Sequence, residues 1–246
     1  MAIPLHVEHR GSGSPILFMH SFAGDASHWA AAMAHLERQF RVVAFDFSGH
    51  GRSPPAPGKY SIAAFASEID AVAAKEQLDS FVLVGHSLGA LIAAEYAGSN
   101  SARVKALVLV DAPPAPGAIP PDQLQKLHAA VDDDPFPIVE QFWDQQTFID
   151  ARAEVKSKLL AALHALPREA AAALTNASLD YDPRPALSRY SGPKFAIVTP
   201  RNDAALSLHN AVPGFRHTVV SGTGHWIHLD KPDEFDEALD GFLKTI

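Results

Sequence analysis

An α/β fold, with a mostly parallel central sheet covered by helices on both faces and broken by a helical insertion, is predicted by three features of the 246-residue chain. Six short apolar runs rich in β-branched and aromatic residues recur along it, segments of helical period lie between them, and the alternation stops between residues 112 and about 190. Continuous apolar runs of this length suit strands buried on both faces of a parallel sheet, and helices are the usual connections between such strands.

In chain order, the opening segment ends in Gly11-Ser12-Gly13-Ser14, a turn signal that predicts an antiparallel hairpin at one sheet edge. The runs at 16–19, 42–45, 81–84, 104–110, 195–198 and 218–220 are the predicted strands. Helices are predicted over 29–39, 62–77, 88–97 and 232–244; in the last, Phe235, Ala238, Leu239, Phe242 and Leu243 fall on one stripe. Five prolines (Pro113, Pro114, Pro116, Pro120, Pro121) follow the fourth strand, and the chain then reads as helical around 123–131, 136–145, 151–166 and 168–179. Alanines 170–173 are strong helix formers rather than low complexity. Asp132-Asp133-Asp134 reads as a solvated turn before Pro135, since three adjacent side chains cannot all face one ion. The expected organisation is one α/β core, residues 1–111 and 191–246, with a helical lid (cap) inserted at 112–190; long insertions between strands often cover active sites.

Composition narrows the function. A hydrophobic share of 47% excludes a disordered chain, and 20 basic against 28 acidic residues, a net charge of -8, leave no basic footprint for a phosphate backbone. Nucleic acid is therefore not an expected partner. With no cysteine there is no thiol nucleophile and no thiolate metal site. Residues 1–6 show no basic segment leading into an apolar one, and no apolar run approaches the roughly 18 residues of a membrane span, so a cytoplasmic protein without a membrane partner is expected.

The strand at 81–84 runs into Gly85-His86-Ser87-Leu88-Gly89, and a helical pattern follows at once. This is the G-x-S-x-G nucleophile elbow in its strand-turn-helix setting: a serine on a strained turn, glycines where a Cβ would obstruct the reversal, and a helix N-terminus favouring negative charge at the reaction centre. Four further segments fall in order: His20-Ser21-Phe22-Ala23-Gly24, Asp46-Phe47-Ser48-Gly49-His50-Gly51-Arg52-Ser53, Gly222-Thr223-Gly224-His225-Trp226 and Lys231-Pro232-Asp233-Glu234-Phe235.

On these five segments the chain resembles the α/β-hydrolase superfamily over nearly its whole length. They look like its nucleophile elbow, its oxyanion loop, its D-x-x-G-H-G-x-S turn, its catalytic histidine loop and the start of its last helix. The resemblance implies the α/β-hydrolase fold and a Ser-His-Asp triad in which Ser87 attacks and His225 shuttles the proton. The orienting acid is expected at Asp203, giving the chain order Ser, Asp, His. Asp111 is the alternative, because some members place the acid after the earlier strand, and the loop from Thr199 to Asp203 is about one residue longer than usual. The backbone N–H groups of Phe22 and Leu88 are the implied oxyanion hole. Ser21 stands where the family usually has glycine.

Ser21, Phe136, Trp143 and Trp226 are candidate substrate-binding residues; Phe142 and Phe148 are further lid aromatics that serve either a pocket or lid packing. His20, His86, His50 and Arg52 read as structural. His228, three residues after His225, lacks the helix and third ligand of a metal pair, and neither cofactor nor metal is expected. The implied activity is hydrolysis of small to medium, fairly apolar carboxylic esters or lactones through an acyl-enzyme. A serine nucleophile argues against the carboxylate-based dehalogenases and epoxide hydrolases of the superfamily. The alternatives are a carbon-carbon bond hydrolase, a cofactor-free perhydrolase and a hydrolase-derived ligand sensor. Oligomeric state is not legible.

Overall fold

The computed structural model describes residues 3–117 and 119–246. Met1 and Ala2, of the segment 1–6 considered for a basic and apolar pattern, and Ala118 of the insertion lie outside the described residues. Seven strands, β1 (Val7–Arg10), β2 (Ser14–Met19), β3 (Phe40–Phe45), β4 (Phe81–His86), β5 (Val104–Val110), β6 (Lys194–Val198) and β7 (Phe215–Val219), form one sheet in the order β1-β3-β2-β4-β5-β6-β7. Every pairing from β3 to β7 is parallel.

Strand residues alternate between two apolar layers, as a period of two requires. Leu17, Met19, Val43, Phe45, Leu83, Leu107 and Leu109 face one core, and Ile16, Phe18, Val42, Ala44, Val84, Val108 and Val110 face the other. Both faces are covered, which is why these strands read as unbroken apolar runs. The first layer is closed by α2 (Ile62–Lys75), α3 (Leu88–Ser99) and α8 (Arg184–Arg189), and the second by α1 (Ala30–Leu36) and α11 (Pro232–Leu243). Ser61 caps α2 by accepting from the Ala64 N–H. Helix α3 buries nine of its twelve residues, so no polar face marks it.

The predicted hairpin does not form. β1 lies at the sheet edge as expected but pairs antiparallel with β3, not with β2. The apolar β2 is paired along both sides, by β3 and β4, so the next open edge belongs to β3. Gly11 and Gly13, with φ of +68° and +112°, carry the chain over the end of β3; a Cβ on Gly11 would stand 2.3 Å from the carbonyl oxygens of Glu37 and Phe40.

Between β5 and β6 lie α4 (Pro121–Asp133), α5 (Pro135–Phe142) with a π-helical turn at Trp143–Thr147, α6 (Ala153–Ala165), α7 (Arg168–Asp180) and α8, with no strand among the described residues. The short α9 (Leu208–Ala211) precedes β7, and α10 (Ile227–Asp230) follows it. The insertion has a core of its own, Val139, Trp143, Phe148, Val155, Leu159 and Leu163, which reaches the main body through Ala23 and Trp226. No helix among the described residues is long and apolar enough to cross a membrane. The chain leaves β2 toward β3 on one side, while β4 lies on the other, which makes the carboxyl ends of β2 and β4 the switch point at which open α/β sheets commonly bind ligands.

Candidate active site

Ser87 stands between β4 and α3 with φ +54° and ψ -117°, a conformation that only glycine adopts freely. Its N–H donates to the Val110 carbonyl at 3.0 Å, tying the turn to the end of β5. A Cβ on Gly85 would come within 2.3 Å of the Gly89 carbonyl oxygen, and one on Gly89 within 2.5 Å of the His20 carbonyl oxygen. The second approach presses α3 against the chain leaving β2. It sets the 20–24 loop beside the serine. Leu88 is the first residue of α3, where an N–H has no acceptor within the helix.

His225 is fixed at three atoms. Its Nδ1 lies 2.6 Å from Asp111 Oδ2, its backbone N–H donates to the Thr147 carbonyl at 3.0 Å, and its own carbonyl accepts from His86 Nε2 at 2.9 Å. An ionised carboxylate only accepts, so the ring proton sits on Nδ1 and Nε2 is left as the basic nitrogen. Asp111 directly follows β5 with φ +42°, and is 1% exposed. Its other oxygen, Oδ1, accepts from the Thr199 N–H at 2.8 Å and the Thr199 hydroxyl at 3.1 Å.

The expectation that Asp203 meets His225 is corrected by this geometry. The longer loop after β6 folds into a 3-10 turn at Pro200–Asn202, and Asp203 beyond it turns to His209 Nε2 at 3.0 Å and Asn210 Nδ2 at 3.2 Å. The alternative, Asp111, is the carboxylate at the histidine.

Phe22 lies in a turn closed by Gly24 N–H to the Ser21 carbonyl at 3.0 Å. His20 holds this turn: Nε2 accepts from the Phe47 N–H at 2.9 Å, so Nδ1 carries the proton and donates to the Ser21 carbonyl at 2.7 Å. Burial pushes His20 down to about 4, which keeps that tautomer neutral. His86 is held well below its ordinary value by burial first and by its histidine neighbours second. His228 is buried flat against Trp29, ring centroids 4.2 Å apart, and burial holds it neutral as well.

Ser87, Asp111 and His225 line one cavity of about 610 Å³, with Pro113, Pro114, Phe142 and Ile149 as its apolar wall and Thr147, Arg201 and Asn202 among its polar residues. Of the four candidate substrate-binding residues none lines it. Ser21 is buried, its hydroxyl accepting from Trp226 Nε1 at 3.1 Å and donating to the Phe22 carbonyl at 3.2 Å. Trp226 and Trp143 are buried edge to face at 5.3 Å, and Phe136 packs on His164. Trp143 and Trp226 join the insertion to the 20–24 loop and to the loop that carries His225. Phe142, 56% exposed, and Ile149, 41% exposed, are the large apolar side chains at the cavity. Phe142 ends α5 just before the π turn and Ile149 lies in the non-helical turn just after it, so the helical periodicity of the insertion gives no phase that would aim Ile149 at the cavity.

A family model described as "Alpha/beta hydrolase family" matches residues 16–238. Among curated proteins, the chain is 37% identical over 101 residues to one named "Putative carbamate hydrolase RutD" from Klebsiella pneumoniae (strain 342); the match covers 40% of this chain and 38% of that protein, so only about two fifths of the relative's length is spanned. Among solved structures, it superposes on a thermophilic esterase from Thermogutta terrifontis with TM-score 0.84 at 24% identity, covering 98% of this chain and 93% of that one. The enol-lactonase from Burkholderia xenovorans LB400 gives TM-score 0.79 at 19% identity, covering 99% of each. At these identities the structural likenesses show the fold. Together with the family match over most of its length, they lead to one conclusion: the chain belongs to the alpha/beta hydrolase family.

Proposed function

We propose that this protein is a serine hydrolase that cleaves carboxylic esters or lactones of small to medium, fairly apolar substrates through an acyl-enzyme. The observation that carries the reading is the 2.6 Å contact between His225 Nδ1 and the buried Asp111 carboxylate, on a histidine that shares a cavity with the strained Ser87. A serine hydroxyl is a poor nucleophile at neutral pH and needs a base of fixed tautomer.

In this account the Ser87 oxygen attacks the carbonyl carbon while its proton passes to His225 Nε2. Asp111 stabilises the imidazolium that results. The carbonyl oxygen, now anionic, accepts from the N–H groups of Phe22 and Leu88; one such donor is commonly worth about 3 to 4 kcal/mol of barrier. His225 then protonates the leaving alcohol, the acyl group stays on Ser87, and water activated by the same imidazole releases the acid. A lactone follows the same steps, its alcohol remaining attached to the acyl chain. The apolar wall of Pro113, Pro114, Phe142 and Ile149 supports a preference for aliphatic or aromatic acyl groups. The insertion, whose Thr147 carbonyl holds the His225 N–H, would act as the lid of this pocket.

A panel of p-nitrophenyl esters, simple lactones and carbamates tests the reading. Multiple turnover of at least one ester or lactone is expected, falling at least about 10⁴-fold in Ser87→Ala. Undiminished activity in that variant, or capture of ligand with a single slow turnover across the whole panel, would overturn it.

A further inference from the structure

Asp203, turned away from His225, belongs to a second polar cluster. His209 on α9 and His217 on β7 both aim Nε2 at the same carboxylate oxygen, Oδ1 of Asp203, at 3.0 Å and 3.9 Å. The two rings lie 4.5 Å apart, centroid to centroid, and the three potential ligand atoms all fall within 4.8 Å of one another. Among the described residues this is the one place where three metal-ligating side chains converge. A tetrahedral ion with bonds near 2.0 Å holds its ligand atoms about 3.3 Å apart, so modest side-chain adjustment would seat one here.

The burial pattern suits such a site. The His209 side chain is 2% exposed and therefore fixed by packing, while Asp203 and His217, at 34% and 37%, leave the remaining coordination position to solvent. Asn210 Nδ2 donates to the same Asp203 oxygen at 3.2 Å and orients the carboxylate from outside, as partners behind metal ligands commonly do. Two imidazoles and one carboxylate favour zinc and its first-row neighbours over magnesium or calcium, which take oxygen donors.

We propose that Asp203, His209 and His217 form a binding site for a divalent transition-metal ion, zinc above all, separate from the serine centre. Binding exchanges the His209 N–H···O bond for a metal–nitrogen bond, so each ring must present an unprotonated Nε2 and acid weakens the site. The ion would tie the turn after β6 to β7. That turn carries Thr199, which holds Asp111, and Arg201 and Asn202 of the cavity wall, so occupancy would stiffen one side of the pocket.

The test is titration of chelator-treated, full-length protein with Zn²⁺ by calorimetry, repeated with Co²⁺ by visible absorption. One equivalent of Zn²⁺ should bind, and Co²⁺ should give the intense visible bands of a four-coordinate site. His217→Ala and Asp203→Asn, both at exposed positions, should weaken binding at least about tenfold and abolish those bands, with unchanged circular dichroism. His35→Ala, a surface histidine paired with Asp240, should bind as the parent does. Equal affinity and stoichiometry in the parent and His217→Ala, or loss of binding in His35→Ala, would overturn the proposal, and neither result bears on the serine centre.

Discussion

Nδ1 of His225 lies 2.6 Å from Oδ2 of Asp111, and the opposite oxygen of that carboxylate is held by the Thr199 N–H and hydroxyl. The acid is thereby aimed at the histidine from the end of β5, one strand earlier in the chain than Asp203. Replacing it is expected to be severe: Asp111→Asn should lower kcat by about 10⁴-fold, because an amide at this position no longer selects the productive tautomer. Asp203→Asn should change kcat by less than about threefold, an estimate that follows from its lack of any contact with His225. Steady-state kinetics of the two variants on one ester decide between them, and a larger loss in Asp203→Asn would reject the assignment.

Strain at Ser87 predicts a trade of activity for stability. Its φ of +54° is costly for a residue with a Cβ and free for glycine. Ser87→Gly should therefore be inactive yet more stable by about 1 kcal/mol, visible as a rise of a few degrees in Tm. A Tm below that of Ser87→Ala would show that the turn is relaxed.

Trp226 ties the loop that carries His225 to the 20–24 loop through Ser21. Trp226→Phe keeps an aromatic ring against Trp143 and Phe148 but leaves the Ser21 hydroxyl without its donor. With the Phe22 N–H as the proposed oxyanion donor, a loosened Phe22 turn would lower transition-state stabilisation more than ground-state binding. The expected outcome is a fall in kcat of about tenfold with KM little changed; a rise in KM alone would instead place Trp226 in the substrate pocket.

At the cavity mouth, Phe142→Ala should raise KM for longer acyl chains severalfold while leaving Tm within about a degree, since a half-exposed side chain contributes little to folding. Equal KM across acyl lengths in parent and variant would remove Phe142 from substrate contact.

Acid should unfold the protein early. Burial pushes His20 and His28 down to about 4 and His50 to about 3, and lowers His86 and His228 as well. Above the ordinary imidazole value of about 6.5 these rings are neutral in both folded and unfolded chains. As pH falls below it, the unfolded chain takes up protons that the folded one refuses, so stability drops from about pH 6.5 toward 4. Urea midpoints measured from pH 8 to pH 4.5 should fall steeply below 6.5, and less steeply in His50→Gln. A midpoint that is flat over that range would contradict the buried, neutral assignment.

How much of this was legible in the sequence depended on whether the signal was local. The elbow could be read because strand, Gly85, Ser87, Gly89 and helix are contiguous, and steric limits on that turn leave few other residues possible. His225 was legible for the same reason, lying in a short loop of recognisable composition after a strand. Asp111 and Asp203 both follow strands, and only the path of the 199–203 turn, a property of backbone geometry, decides which carboxylate reaches the ring. The pairing of β1 with β3 was hidden because a turn signal reports a reversal and not the partner strand. Ser21, Trp143 and Trp226 read equally well as pocket or packing residues because aromatic and hydroxyl groups serve both, and in the fold all three are buried.

The central claim is that Ser87 is the nucleophile and that His225 and Asp111 activate it. The most direct measurement is the rate and site of covalent labelling by a fluorophosphonate, followed by intact mass and peptide mapping. One adduct on Ser87 is predicted, absent in Ser87→Ala, slowed by orders of magnitude in Asp111→Asn and unaltered in Asp203→Asn. Labelling at another residue, or an undiminished rate in Asp111→Asn, would contradict the account.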